Sequence, residues 1–294
     1  MAVETAARPT AVEPRRAAPS WLRRLALLRE SPVGMVGAAL VVFWVAVAIL
    51  APWLAPYAPN ENDYAALADP HPSATHWLGT DQQGRDMLSR VIWGSRTVLA
   101  VAPIAVLSAY IVGCIMGLLA GYYRGWVDAV VTRFADIIYS FPVIILYMII
   151  ISIYGPSATN IIIAVTFTAA PQIARIVRGL TLELREQDFV AAAKIRGESA
   201  PYVMAVEILP NARGPLIVDA CLRMGYTTIA IGVLGFLGLG LPPPDPDWGG
   251  MVKDTYGMMS VYPHMSLIPC AAISSLVVGF NLLADGLREI SMRD

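Results

Sequence analysis

The chain has 294 residues, of which 56% are hydrophobic and only 15% charged, with a formal net charge of −1. Its mean hydropathy of +0.59 is too high, and its charged fraction too low, for an ordinary soluble domain. We therefore expect a protein that lies in a lipid bilayer and does not bind nucleic acid.

Residues 1–30 are rich in alanine, proline and arginine. They lack the short apolar core and the small-residue cleavage site of a secretory signal peptide. The sequence predicts a basic cytoplasmic tail that helps to fix the orientation of the helices that follow.

Six apolar runs follow this tail, each close to the roughly 20 residues that a helix needs to cross a hydrocarbon core about 30 Å thick. They predict an all-α integral membrane protein with about six transmembrane helices, at 34–54, 97–121, 137–154, 158–176, 215–240 and 264–287. Pro103 and Pro171 fall inside two of the runs and are expected to bend them, because proline removes a backbone hydrogen bond.

The lysines and arginines predict the orientation of these helices. With both termini in the cytoplasm, the inside segments carry sixteen basic side chains, and the outside segments carry four, Arg85, Arg90, Arg96 and Lys253. The positive-inside rule favours this arrangement. It divides the chain into a tail (1–30), a first helix with an extracytoplasmic segment (31–96), a core (97–287) containing a cytoplasmic loop (178–214), and a cytoplasmic end (288–294).

The extracytoplasmic segment is long, polar and rich in proline, and it closes on Trp-Leu-Gly-Thr-Asp-Gln-Gln-Gly-Arg-Asp at 77–86. Gly79 and Gly84 predict tight turns. Thr80 or Asp81 is expected to cap a short helix running into Leu88. A surface loop with local capping explains these residue types, but not the length of the loop.

The cytoplasmic loop is predicted to be helical, because 182–196 is rich in leucine, alanine, glutamate and arginine and contains neither glycine nor proline. Asp188 is expected to cap the first helix and Gly197 to end it. A second piece at 200–209 is closed by Pro210 and Asn211. A partly apolar helical loop with mixed charge is typical of a docking element for another protein.

A second exterior segment, Leu-Pro-Pro-Pro-Asp-Pro-Asp-Trp-Gly at 241–249, is stiffened by its prolines. Two interpretations stay open for Trp248 and Gly249. Trp248 is the residue type that anchors a segment at a membrane interface. The pair also suits an outer gate or a receptor surface.

The sequence contains no motif for binding ATP. Neither of its two lysines, Lys194 and Lys253, belongs to a phosphate-binding Gly-x-x-x-x-Gly-Lys-Ser/Thr motif. The histidines and cysteines show no metal-ligand spacing, so we predict no catalytic, cofactor or metal site.

The helices hold few ionisable residues apart from Asp219 and Arg223, which are expected to pair in the first two turns of the fifth helix. This favours energy supplied by a partner over an ion-driven transporter.

The loop sequence Glu-Gln-Asp-Phe-Val-Ala-Ala-Ala-Lys-Ile-Arg-Gly at 186–197, with Ile-Leu-Pro-Asn at 208–211, resembles the coupling loop of permeases of ATP-binding-cassette importers. The usual pattern there is Glu-Ala-Ala, three residues and Gly, then Ile-x-Leu-Pro. The exterior Leu-Gly-Thr-Asp at 78–81, Gly-Arg-Asp at 84–86, Trp-Gly at 248–249 and the terminal 280–288 resemble the second, "C-type" permease of the dipeptide and oligopeptide branch.

The resemblance implies a type I importer permease fold in the inner membrane, without an ATPase site of its own. The implied partners are a homologous permease, an exterior peptide-binding protein and two ATPase domains, which would bind the ATP and Mg. Its coupling residues would be Asp188, Phe189, Ala192, Ala193, Gly197, Tyr202, Leu209 and Pro210, and its extracytoplasmic motif Gly79, Thr80, Asp81, Gly84, Arg85 and Asp86.

The loop departs from the usual pattern at two positions. Ala191 stands where the opening glutamate is expected, and Arg196 replaces an apolar residue before the glycine. Glu186, Asp188 and Glu198 are the neighbouring carboxylates able to compensate. Two alternatives to a peptide permease stay open: a permease for nickel or another metal chelate, and a membrane scaffold or receptor subunit with no transport path.

Overall fold

A computed structural model describes residues 31–242 and 245–291. The predicted basic tail (1–30), two of the prolines at 243–244 and the last residues of the predicted cytoplasmic end (292–294) lie outside the described residues. The described part is all-helical, with only isolated β-bridges between residues 62 and 85 and between 80 and 86. This confirms the predicted fold class.

Eleven α-helices are described, in an order that follows the predicted runs. They are α1 (Pro32–Leu54), α2 (Met87–Tyr123), α3 (Gly125–Tyr139), α4 (Val143–Tyr154), α5 (Ala158–Leu184), α6 (Asp188–Ile195), α7 (Ala200–Tyr202), α8 (Leu209–Asn211), α9 (Arg213–Phe236), α10 (Trp248–Thr255) and α11 (His264–Ser291). A π-helix, Val203–Ile208, joins α7 to α8, and 3₁₀ turns lie at Ala66–Ala68 and Tyr256–Met258.

Five of these helices, α1, α2, α5, α9 and α11, are long and apolar enough to cross a membrane. The prediction of one continuous helix at 137–154 is wrong. α3 and α4 meet there at 87°, the geometry of a broken span or of a re-entrant loop, so the described residues contain five spans, or six if this pair crosses as one. Pro142 causes the break, because its backbone is non-helical (ψ 126°) and it has no N–H to continue the helix.

The second spanning helix begins ten residues before the predicted start. Asp86 is its N-cap, and the Asp86 carboxylate accepts a hydrogen bond from the backbone N–H of Ser89 at 2.7 Å. The expectation that Thr80 or Asp81 caps the helix is therefore wrong. The Asp81 carboxylate instead accepts from the backbone N–H of Gln83 and of Arg85, which fixes the turn before the helix.

The centre of the bundle is the contact between α2 and α5. Gly113, Gly117 and Gly121 repeat every four residues along one side of α2, and α5 packs directly on them. A Cβ atom added at any of the three would lie only 2.6 Å from a Cβ atom of α5. The absence of side chains thus allows two backbones to approach as they do in small-residue membrane helix pairs.

The outer helices add a second close contact. A Cβ atom at Gly37 of α1 would meet the backbone of Leu283 in α11, and one at Gly286 would meet Gly34. Trp44 of α1 also donates its indole N–H to the Ser275 hydroxyl of α11, at 2.9 Å. These contacts bind α1 and α11 to each other on the outside of the α2–α5 pair.

We expect Gly117→Ala to destabilise the fold by about 1–3 kcal/mol, because its methyl group overpacks the contact with Val177. Gly179→Ala is the matched control, since a Cβ there meets nothing within 4 Å and alanine is the better helix former. Thermal unfolding of the purified protein in detergent measures both effects. Equal melting temperatures for the two variants would contradict the packing account.

Candidate functional site

The connection between α5 and α9 forms a compact helical loop, with α6 followed by the continuous helical stretch 200–211. Gln187 is the N-cap of α6, and Asp188 is its first residue and makes no capping hydrogen bond, so the predicted cap is wrong. Gly197 has φ +81° and follows the last turn of α6, as expected of a helix stop. A π-helix in the second piece was not foreseen.

One side of α6 is buried against its own chain. Val190 and Ala193 are fully buried, in a cluster with Val203 and Ile208 of the π-helix. Ala193, one of the coupling residues that the resemblance implies, therefore faces the protein interior. Phe189 and Leu209 are half-buried beside this cluster, whereas Pro210 is exposed.

The opposite side of α6, which we call the exposed loop face, consists of Asp188, Ala191, Ala192 and Ile195. Ile195 is 88% exposed, an unusual position for a large aliphatic side chain. Tyr202 is also exposed, on the neighbouring α7. Ile195 was not among the predicted coupling residues. It follows Ala192 by three residues, Ala191 by four and Asp188 by seven, and this helical spacing places all four on one face.

Ion pairs hold the loop end of the bundle together. Arg178 of α5 makes a bidentate pair with Asp128 of α3, at 2.5 and 2.6 Å. Arg124 binds Glu186 at 2.8 Å, and Arg196 binds Glu207 at 2.9 Å and lies 3.8 Å from Glu198.

Three carboxylates were expected to compensate for the missing glutamate at position 191, and the ion pairs engage two of them. Glu186 and Glu198 are each engaged with an arginine of this chain. Asp188 is the one of the three that lies on the exposed loop face. Arg196, the second departure from the usual pattern, bridges α6 to the π-helix through Glu207.

At the other end of the bundle, the predicted motif at 79–86 forms one folded unit. Gly79 and Gly84 have φ of +77° and +75°, and Thr80, Asp81 and Asp86 are buried. The Arg85 guanidinium donates to the Asp81 carboxylate at 2.6 Å. The motif thus folds the 55–86 segment onto the start of α2.

His76, which was not among the predicted site residues, is buried at the centre of this unit. Its Nδ1 lies 2.9 Å from Oδ1 of Asp86, and its Nε2 lies 3.3 Å from Oδ2 of Asp63. Burial disfavours the charged imidazolium, but the hydrogen bonds to these two carboxylates outweigh burial and raise the pKa of His76 above its ordinary value. His76 therefore joins Asp63 of the 55–86 segment to Asp86, the N-cap of α2, and protonation of its ring strengthens both contacts.

Trp248 does not lie on a surface. Its side chain is fully buried, donates its indole N–H to the carbonyl oxygen of Val91 at 2.9 Å, and packs edge-on against Trp44. The interpretations of Trp248 as an interface anchor or a receptor surface are therefore wrong, since the ring joins α10 to α1 and α2. Gly249 is buried beside it and packs on the backbone of Gly232 in α9.

A cavity of about 360 Å³ opens between α2, α4, α5 and α9. Its walls are mainly apolar, with Tyr147, Thr168, Gln172, Arg223, Tyr226 and Thr227 as the main polar contributors. Because α9 begins at Arg213, earlier than predicted, Arg223 is the eleventh of 24 residues. The predicted placement of Arg223 in the first two turns is therefore wrong, and the side chain lies near the middle of its helix.

Comparison with known families identifies the chain. The profile described as "Binding-protein-dependent transport system inner membrane component" matches residues 109–293. The chain belongs to this family. A second profile, "N-terminal TM domain of oligopeptide transport permease C", matches residues 21–72. The chain is thus a multi-pass inner membrane component of an ATP-binding-cassette importer, as the resemblance implied.

Curated relatives match this inner membrane component over nearly its whole length. The dipeptide transport system permease protein DppC of Alkalihalophilus pseudofirmus is 38% identical over 284 residues, which are 95% of this chain and 90% of that protein. The glutathione transport system permease protein GsiD of Escherichia coli O6:K15:H31 is 39% identical over 279 residues, 95% of this chain and 92% of that protein.

Solved structures support the fold of this inner membrane component. A chain of the MetNI methionine ABC transporter in an inward-facing conformation aligns with a TM-score of 0.55 and 21% identity, covering 70% of this chain and 97% of that one. A chain of an amino acid ABC transporter with histidines aligns with a TM-score of 0.51 and 17% identity, over 70% and 95%. Both share the type I importer permease fold.

The raised pKa of His76 makes the stability of the 55–86 segment depend on pH. The contribution is complete below the unfolded pKa of about 6.5 and is lost as pH rises through the higher folded pKa. We expect the melting-temperature difference between wild type and His76→Gln to shrink as pH rises from 6 to 9. His71→Gln, at an exposed histidine paired with Asp69, is the control. A difference independent of pH would contradict the assignment.

Proposed function

We propose that this inner membrane component is a permease subunit that carries short peptides. The observation that supports this most directly is the pair of relatives, which are named for dipeptide and for glutathione transport and match almost end to end. These names favour peptides over the nickel or metal-chelate alternative. Membership of a transport family also disfavours a scaffold or receptor subunit with no transport path.

We further propose that the loop between α5 and α9 lies in the cytoplasm, as do both termini. The distribution of lysine and arginine supports this orientation, because the segments on the loop side of the bundle hold most of them. The 55–86 segment and α10 then face the exterior, where the solute-binding protein that gives the family its name would deliver its cargo.

The energy would come from two ATPase domains that bind ATP and Mg, because this chain has no phosphate-binding loop. We propose that one of them docks on the exposed loop face, with the side chain of Ile195 as the apolar contact and Asp188 as the carboxylate of that face. Movement of this face would reach the bundle through α5 on one side and α9 on the other. ATP can drive such a movement only if it binds the two states with different affinity.

A homologous second permease would complete the path. The cavity between α2, α4, α5 and α9 opens on a face where Ile144, Tyr226 and Ile229 are exposed. An apolar, partly open cavity of this kind suits the boundary between two membrane subunits. In this arrangement each permease supplies one wall of the route.

The coupling role of the loop predicts the behaviour of two variants at Gly197. Gly197→Val places a β-branched residue at φ +81°, which costs roughly 1–3 kcal/mol of strain and disturbs the end of α6. We expect normal insertion but at least about a fivefold loss of ATP-driven peptide uptake in proteoliposomes containing the whole complex. Gly197→Asn is the matched control, because asparagine tolerates positive φ. Wild-type uptake by the valine variant would contradict coupling through this loop.

A further inference from the structure

The cavity between α2, α4, α5 and α9 has an unusual charge distribution. Among the described residues that line it, Arg223 is the one that carries a formal charge, and no carboxylate faces it. The other polar groups are hydroxyls and the amide of Gln172. The cavity therefore combines apolar walls with one positive group, whose attraction for an anion is screened less there than in bulk water.

Hydrogen bonds to two neighbouring side chains hold the Arg223 guanidinium in place. Its Nε donates to Oδ2 of Asp219 at 2.6 Å, and its Nη1 donates to Oε1 of Gln172 at 3.0 Å. Asp219 also accepts a hydrogen bond from the Tyr110 hydroxyl, which ties the carboxylate to α2. A guanidinium has five N–H donors, and these two contacts use two of them. Further donors are available to a group inside the cavity.

The position of Arg223 along the helix adds to the argument. Ten residues separate it from the first residue of α9, a distance of about 15 Å. An arginine so far inside a spanning helix is costly, and such residues usually face a path or a partner rather than lipid. Asp219 offsets part of the cost, but a purely structural ion pair gives no reason for Arg223 to line a cavity.

We propose that Arg223 binds a carboxylate of the peptide as it passes through this cavity, with Asp219 and Gln172 orienting the guanidinium. This inference rests on the proposed function, because it names the chemical group of the cargo that the path recognises. The planar fork of arginine matches a carboxylate in two parallel hydrogen bonds. The volume of about 360 Å³ falls within the range of small-molecule sites. The carboxylate comes either from the peptide C-terminus or from an acidic side chain.

The test uses the complete transporter in proteoliposomes, with partner permease, ATPases and binding protein. Three peptides are compared: alanyl-alanine, alanyl-alanine amide and glutamyl-alanine amide, which carries its carboxylate on the side chain. ATP-driven uptake is measured at equal concentrations of peptide-loaded binding protein, so that recognition by that protein does not enter the comparison. The variants are Arg223→Gln and, as a control, Arg96→Gln, which lies on another face of the bundle against Trp93.

We expect Arg223→Gln to reduce uptake of the carboxylate-bearing peptides by about 10-fold, as loss of a charge-assisted hydrogen bond implies, and that of alanyl-alanine amide less than twofold. A reduction confined to alanyl-alanine assigns the terminal carboxylate, and one confined to glutamyl-alanine amide assigns the side chain. Equal reductions for all three peptides, or none, would overturn the proposal, because a structural role does not distinguish cargoes. Arg96→Gln is expected to leave all three rates unchanged.

Two further results keep the test decisive. If Arg223→Gln does not assemble, Arg223→Lys is used, and it is expected to reduce the preference for carboxylates because a lysine cannot make the two parallel bonds. An unchanged preference in the assembled lysine variant would overturn the proposal. If the wild-type complex takes up none of the three peptides, the proposed peptide function itself fails, which is a different result from a wild-type complex whose uptake does not depend on Arg223.

Discussion

The close approach of α2 and α5 is the constraint on which the rest of this structure depends. Gly113, Gly117 and Gly121 leave α2 without side chains at three successive positions on one side, and Ile173, Val177 and Thr181 of α5 pack there. In lipid there is little hydrophobic force to drive helices together, so the contact must come from dense packing of this kind. The other spanning helices then have a fixed pair against which to lie.

This pair also connects the two candidate functional regions. Val177 of α5, which packs on Gly117 of α2, belongs to the same buried cluster as Val190 and Ala193 of α6. On another side, α2 and α5 form two walls of the cavity, and Tyr110 of α2 holds the carboxylate of Asp219 behind Arg223. The loop and the cavity are therefore joined by continuous packing, which is one of the ways in which proteins couple distant sites.

Much of the fold follows from the sequence because an apolar run of the right length has few alternatives in a bilayer. The missed features depend on contacts or on single backbone angles. The start of α2 was placed too late because Arg90 and Arg96 lower the hydropathy of its first turns, although Asp86 is a good N-cap residue. Pro142 marked the bend only weakly, since proline also occurs inside continuous helices such as α5.

Part of the candidate site could also be predicted, because it depends on local sequence. The loop was found because its local sequence carries a helix, a stop and a second helix, all short-range signals. Its outward side could not be predicted, because helical spacing alone does not tell which side of α6 faces outward. Packing against the π-helix buries Ala193 and leaves Ile195 exposed. Arg223 is positioned by Gln172, 51 residues away, and Trp248 is covered by distant residues that include Trp44 and Gly94. No local pattern encodes such contacts.

The proposed coupling requires the exposed loop face to contact an ATPase subunit, and chemical cross-linking can detect this contact. A single cysteine is introduced by Ile195→Cys in the assembled complex, with Cys114, Cys221 and Cys270 replaced by alanine to remove the native thiols. A short bifunctional reagent is expected to join this residue to the ATPase, with a yield that changes when ATP is added. Cross-linking to the exterior binding protein, or to no subunit at all, would contradict the account.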